Sequence, residues 1–351
     1  MTRSKLLAGT ILSFAVLAFH SNARANLIFN FIPEPGTPQI VIDGFQSAAN
    51  RWSAVIADSI TINVQIGFSS LGQFVVAQTG SDFREYSYTD TRAALAAHRT
   101  SADDYSTFAA LPTTDSYQRL INHTSNSPHG PNSATPYLQS MDRVGITTAN
   151  AKALGLLGPT SSLDAILRFN SDLAFDFNPD DGIASGYYDF VGVATHELGH
   201  ALGFISGVDD LDQLGGVLPD NAFSSNLIDL FRFSELSFSL GAGVTDYTAD
   251  ARLKYFSLDG GATALTYFSN GMIFGGGNQA SHWKDFLGAG LMDPTVALGE
   301  LMQLTETDLR AFDVLGYTLV PEPTSGALLL VSGLILWRYR FPQPKRSVSG
   351  Q

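Results

Sequence analysis

Thr195-His196-Glu197-Leu198-Gly199-His200-Ala201-Leu202-Gly203-Phe204 is the stretch from which the rest of this 351-residue chain can be read. Two histidines four apart share one face of a helix, with Cβ atoms roughly 5–6 Å apart. Both imidazoles can then reach one ion at the ~2.0–2.1 Å of a Zn–N bond. Glu197 lies one step round the helix from His196. It is badly placed as a further ligand but well placed to flank a metal-activated water, where a general base belongs. Leu198, Ala201 and Leu202 make the opposite face apolar, so a helix over Tyr187 to Phe204 carries an isolated polar triad. Three surface residues matching a short pattern by accident is the rival explanation, and that isolation speaks against it.

Cysteine is absent from the chain, which excludes a disulfide framework, a thiolate metal site and a cysteine-switch inhibitor. A zinc site that keeps one position open needs a third protein ligand, which must come from His, Asp or Glu. Gly203 fits the metzincin pattern, in which the helix breaks and a residue three further on turns back to the metal. Here that residue is Ser206, a poor ligand. The segment Ser281-His282-Trp283-Lys284-Asp285-Phe286-Leu287-Gly288-Ala289-Gly290-Leu291-Met292-Asp293-Pro294 resembles leishmanolysin, a family in which a long insertion precedes the third histidine. In this chain 81 residues intervene between His200 and His282. The resemblance covers about residues 160–318, including Asp229 to Phe233 and Leu304 to Tyr317 with Asp308, Asp313 and Gly316. It implies His196, His200 and His282 as zinc ligands, Glu197 as the catalytic base, and Met292 in a Met-turn beneath the metal. Asp209 or Asp210, just beyond Ser206, are the alternative third ligands, and His282 would then be an interfacial histidine beside Trp283. No tyrosine stands two residues after Met292, so a tyrosine fifth ligand of the astacin kind is not expected.

Outward from the helix, Leu27 to Phe31 reads as a strand and Gln39 to Ile56 as a helix. Val41, Phe45, Ala48, Ala49 and Trp52 fall on one face of that helix. Ile60 to Phe68 alternates as a second strand. Strand, helix, strand predicts a mixed sheet with a helix packed on it. The expected class is α+β: a metzincin-like zincin with a mixed twisted sheet and the active-site helix in an N-terminal subdomain (26–204). A mainly helical and irregular C-terminal subdomain (205–319) completes a metallopeptidase domain of residues 26–319. Residues 87–160 are harder to read, with Asn122 to Pro136 expected as an exposed loop. His98, His123 and His129 lie there without tight ligand spacing and are expected to be solvated rather than to form a second zinc site. Ala165 to Phe177 resumes strand character, and Ile166 to Ala174 is the expected edge for an extended substrate. Asp176 to Gly182 offers alternating oxygens that suit Ca2+, or else an Asx-type turn, since the glycine comes one place late for an EF-hand and Tyr187 replaces its glutamate.

Both ends carry processing signals. Arg3 and Lys5, an apolar run from Leu6 to Phe19 and Ala23-Arg24-Ala25 read as a signal peptide (1–25), so the chain is expected to be exported and to begin at Asn26. The other end (320–351) holds Pro321-Glu322-Pro323, an apolar run from Gly326 to Trp337, and Arg338, Arg340, Lys345 and Arg346. As a helix that run is roughly 18 Å long, short of a ~30 Å hydrocarbon core. It resembles a PEP-CTERM sorting signal, which implies transient membrane contact, an exosortase-type processing partner and removal of the tail. A plain membrane anchor is the alternative. A net charge of -13, with only 15% charged and 44% hydrophobic residues, suits a packed globular protein. With no basic stripe, nucleic acid is excluded as an expected partner.

The expected function is therefore a secreted or cell-surface zinc endopeptidase acting on proteins or peptides. A surface or matrix adhesion protein retaining the fold is the alternative, and a metal-dependent hydrolase of non-peptide bonds is a third.

Overall fold

The computed structural model describes residues 27–321 apart from Phe74. The expected signal peptide, and the sorting tail from Glu322 onward, lie outside the described residues.

The N-terminal half is organised by a four-stranded sheet whose first three strands are parallel: Ile28–Pro33, Thr61–Ser69 and Ala165–Asn170. A fourth strand, Ala77–Ser81, runs antiparallel along Ala165–Asn170 and closes that side of the sheet. The expected strand, helix, strand unit is present, because two parallel strands require a crossover and Gln39–Val55 supplies it. Val41, Phe45, Ala48, Ala49 and Trp52 are all buried. They pack against a second helix, Phe190–Ala201, which carries His196, Glu197 and His200. Two contacts fix how these helices meet. Phe45 stacks edge-on against Phe190 with ring centroids 5.4 Å apart, and Trp52 Nε1 donates to the Thr195 carbonyl at 2.9 Å. The approach is close enough that a Cβ on Gly44 would stand 2.5 Å from the Phe190 ring.

Ile166 to Ala174 was expected to be the free edge, and the structure corrects this. Ala165–Asn170 is an interior strand between Thr61–Ser69 and Ala77–Ser81, and the edge belongs to Ala77–Ser81. Leu167 and Phe169 are buried because their face of this strand is covered by the helices, where Phe169 meets the Phe45 and Phe190 rings, while Ile166 and Arg168 on the other face are partly exposed.

Residues 87–160 are ordered into short elements. Phe83–Ser87 pairs with Arg143–Thr147 and Tyr117–Ile121 with Tyr137–Met141, both antiparallel, with helices Tyr88–Ala97, Ala102–Ala110 and Thr148–Ala153 around them. A buried ion pair anchors this region to the main sheet. Lys152 Nζ lies 2.6 Å from Asp164, whose carboxylate also accepts from Thr148 Oγ1 and from Asn63 N on the second strand.

Beyond residue 205 the chain is largely irregular, with helices Val208–Leu214, Glu235–Leu240 and Glu306–Val314 and a small antiparallel sheet of Arg232–Phe233, Lys254–Phe256 and Thr266–Phe268. Val208, Leu211, Phe223, Tyr247, Ala249 and Ala280 form a small apolar cluster there with Ile121, and most of the other buried apolar side chains join the main core. One apolar cluster runs from Leu27 through Leu198 to Tyr317, and Phe312 of the last helix sits against Trp52 with ring centroids 4.4 Å apart. The class is α+β, as expected. Among the described residues no helix is long and apolar enough to cross a membrane.

Candidate metal centre

Asp189 starts the histidine helix later than Tyr187, where the sequence pattern placed it, because its side chain accepts from the Gly192 N–H and caps the first turn. The helix ends at Ala201, and Gly203 takes φ +119°, a conformation that lets the chain leave sharply. The exit is held by Ser206, whose backbone N–H donates to Ser281 Oγ at 2.8 Å and whose hydroxyl donates to Asp229 at 2.6 Å. Ser206 thus joins the helix exit to the segment carrying His282, although it cannot serve as a ligand itself.

The structure brings His196, His200 and His282 together. Their Nε2 atoms are 3.0 Å (His196 to His200), 3.2 Å (His200 to His282) and 3.3 Å (His282 to His196) apart. All three rings are buried. Each Nδ1 faces a backbone carbonyl: Leu291 at 2.8 Å for His196, Phe204 at 2.7 Å for His200 and Gln279 at 3.3 Å for His282. A carbonyl can only accept, so the proton of each ring sits on Nδ1 and each Nε2 presents a bare lone pair. Three such lone pairs pointing together in a dry site repel one another unless a cation lies between them. A tetrahedral ion with ~2.05 Å bonds needs its ligands about 3.3 Å apart, and the observed triangle is close to that. Burial also keeps the rings uncharged, as ligands must be: it holds His196 down at about 4 and, with the adjacent His196, His200 at about 3, while His282 falls well below its usual range. Among the described residues this is the only group of three or more metal-capable side chains whose ligand atoms converge.

The other sequence candidates fall elsewhere. Asp209 is not a ligand: it accepts from Ala280 N, Ser281 N and Ser281 Oγ at 2.6, 3.0 and 2.5 Å, holding the backbone just before His282. Asp176 accepts the N–H groups of Asn178 and Ala184, and Asn178 accepts that of Asp180, the hydrogen bonds of an Asx-type turn. His123 is not solvated as expected. It is buried, stacks on Phe274 with centroids 3.8 Å apart and bonds Asn132.

Met292 is fully buried beneath the helix, and a Cβ on Gly199 would stand 2.6 Å from its Sδ. The turn is fixed from below by Asp308, whose Oδ1 accepts from Trp283 Nε1 and Met292 N and whose Oδ2 accepts from Leu291 N and Thr305 N. Trp283 N also donates to the Met292 carbonyl at 2.9 Å. The same turn therefore orients His196, through the Leu291 carbonyl, and restrains the residue that follows His282.

Glu197 projects beside the triad. Thr79 Oγ1, on the edge strand, donates to Glu197 Oε2 at 2.5 Å. Burial pushes the Glu197 carboxyl up to about 7, against the downward pull of that hydrogen bond. Thr79 escaped the sequence reading because Ala77–Ser81 is short and weakly apolar. Its hydroxyl on a strand facing the helix is visible only once the sheet order is known. The centre opens on a cleft of about 770 Å³ lined by Gln78 and Thr79 of the edge strand, Val193, Met302, Asp293 and Val296 among others.

No family model, curated protein or solved structure matches the chain.

Proposed function

We propose that the chain is a zinc-dependent endopeptidase of the metzincin type. The observation that carries the reading is the convergence of three buried imidazoles whose Nε2 atoms lie 3.0–3.3 Å from one another and whose Nδ1 atoms face backbone carbonyls, beside a carboxylate and an open cleft. Nitrogen-only ligation by three histidines favours zinc over the oxygen-seeking calcium or magnesium. Zinc, when bound, supplies Lewis-acid activation of water and of a scissile carbonyl.

The chain's own residues do the rest. Glu197 takes the proton of the attacking water and returns it to the leaving amine, so one carboxylate serves both steps. Thr79 holds Oε2 of Glu197 in one orientation, which keeps the second oxygen free for the water. Ala77–Ser81 is an edge strand with one side of its backbone unpaired in the sheet, and an extended peptide can add to it as a further strand. A purely structural histidine site, as in an adhesion protein, would have no use for Glu197.

Zinc-loaded protein, incubated with an unfolded protein substrate, is expected to cleave it. Glu197→Gln is expected to lower turnover by roughly 10²–10⁴-fold, the usual size of a lost acid–base group, with zinc content unchanged. Equal turnover in the variant would end the mechanism. Inactivity of the zinc-loaded wild type across a broad peptide panel would shift the reading to adhesion.

A further inference from the structure

Ile28–Pro33 ends the main sheet on the side away from the cleft, and among the described residues no strand pairs with its outer side. Backbone N–H and C=O groups point to alternate sides along a strand. Ile28 N–H bonds the Ile60 carbonyl and Glu34 N–H the Ile66 carbonyl, so the even-numbered residues turn these groups towards Thr61–Ser69, and Phe29 and Phe31 turn theirs outward. Ile28, Asn30 and Ile32 meanwhile stand exposed on one face of the strand. Such an edge is a template for another strand unless charged side chains or a proline within it stand in the way. Here nothing from Leu27 to Ile32 is charged, and the only proline, Pro33, comes at the end. Glu34, the first charge beyond it, is tied to Arg168 at 2.6 Å.

What fits this edge is set by its own sequence. Ile28-Phe29-Asn30-Phe31-Ile32 reads the same in both directions. Antiparallel strands run in opposite directions, so a second copy related by a two-fold axis at Asn30 sets Ile28 against Ile32, Phe29 against Phe31 and Asn30 against its own counterpart. The backbone agrees in phase, because the residues that would exchange hydrogen bonds in that register are the outward-turned Phe29 and Phe31. At the ends Leu27 would oppose Pro33. The Leu27 carbonyl already accepts from Ser53 Oγ at 2.8 Å, and Pro33 has no N–H to offer it. We propose that this edge is a self-association surface, at which two copies of the chain pair through Ile28–Pro33 and join their four-stranded sheets into one. A net charge of -13 on each copy opposes association elsewhere, and the uncharged edge is where two such copies can meet. A single-strand contact of this kind, about 20 Å long, covers less than the ~1,200 Å² of stable pairs, so the dimer is weak. Both clefts stay open, since each lies along Ala77–Ser81 at the far side of its own sheet.

Cross-linking through single cysteines tests this, because the chain has no cysteine of its own and a disulfide traps a weak pair. At position 30 the two Cα atoms would be about 4.5 Å apart, the spacing of a non-hydrogen-bonded pair, which a disulfide can span. Purified full-length Asn30→Cys is expected to form a covalent dimer under mild oxidation. In Ile28→Cys the two cysteines would lie roughly 13 Å apart along the strands, so cross-linking should be at least about tenfold slower, although Ile28 is 55% exposed. An equimolar mixture of Ile28→Cys and Ile32→Cys should give mainly the mixed dimer. Equal rates in Asn30→Cys and Ile28→Cys, the result of random collision, would overturn the proposal, and so would the absence of a dimer in folded Asn30→Cys. Circular dichroism establishes folding. Should Asn30→Cys unfold on losing its bond to Asn63, the mixture decides: mixed dimers in excess support the pairing, and mixed and self dimers in random proportion overturn it.

Discussion

Asp308→Asn changes one atom and should loosen the metal centre from underneath. In the wild type Oδ1 accepts from Trp283 Nε1 at 2.9 Å and Met292 N at 3.3 Å, while Oδ2 accepts from Leu291 N at 2.7 Å and Thr305 N at 2.9 Å. An asparagine has one acceptor oxygen. Whichever way the amide turns, its NH2 group faces two N–H donors that have nothing else to bond. Each buried donor left unpaired costs about 1–3 kcal/mol, so the gross penalty is about 2–6 kcal/mol. Burial already pushes the Asp308 carboxyl up, so removing its charge offsets part of this, and a net loss of about 2–4 kcal/mol is expected. In thermal unfolding that is a fall in Tm on the order of 10 °C. A second effect is specific to the site. Leu291, whose N–H is orphaned in one of the two amide orientations, carries the carbonyl that holds His196, and losing a ligand's supporting partner typically weakens metal binding by about 10–100-fold. Chemical denaturation with zinc removed measures the first quantity, and competition with a chromogenic chelator measures the second. A variant within about 0.5 kcal/mol of wild type that also kept its zinc affinity would refute the view that Asp308 fixes the turn.

Thr79→Val removes the hydroxyl from Glu197 while leaving the edge strand's backbone intact. Turnover should fall by roughly tenfold or more, as for the loss of a hydrogen bond to a charged group, with KM and zinc content little changed and with recovery in Thr79→Ser. A drop in zinc content instead would show that Thr79 acts on the fold. Lys152→Met leaves the buried Asp164 without its cation and should destabilise the protein by about 3–5 kcal/mol in urea. Asp250 supplies a pH test. Burial raises its pKa, but Lys254 and Arg252 outweigh that and bring it down to about 2, below its ordinary 3.8. A lowered carboxyl stabilises the fold in full above the unfolded value and loses that contribution as pH falls through about 2. Urea midpoints between pH 4 and pH 2 should therefore drop less steeply in Asp250→Asn than in the wild type, and parallel curves would contradict the assignment.

How much of this was legible in the sequence depended on how local each signal is. The helix bearing His196, Glu197 and His200 is written in a four-residue spacing, and the crossover helix Gln39–Val55 in the periodicity of Val41, Phe45, Ala48, Ala49 and Trp52. Both are properties of consecutive residues. His282 lies too far along the chain for any periodicity, and was reached by resemblance of the His282-to-Pro294 segment rather than by spacing. The sheet edge was misplaced for a physical reason. Ala165–Asn170 has the strong apolar character of a strand, but strength of pattern tracks burial, and the interior strand outscored the half-exposed Ala77–Ser81 that flanks it. Asp209 has the chemistry of a metal ligand, being a carboxylate near the histidine helix. That it instead holds the backbone at Ala280 and Ser281 follows only from the fold.

The account stands on one ion held by three histidines, and anomalous diffraction at the zinc edge from crystals of the purified protein tests it most directly. A single peak about 2.0–2.1 Å from Nε2 of His196, His200 and His282 together is the expected result. A peak bound by His196 and His200 with a third ligand other than His282, or no peak at the histidines in zinc-soaked crystals, would contradict it.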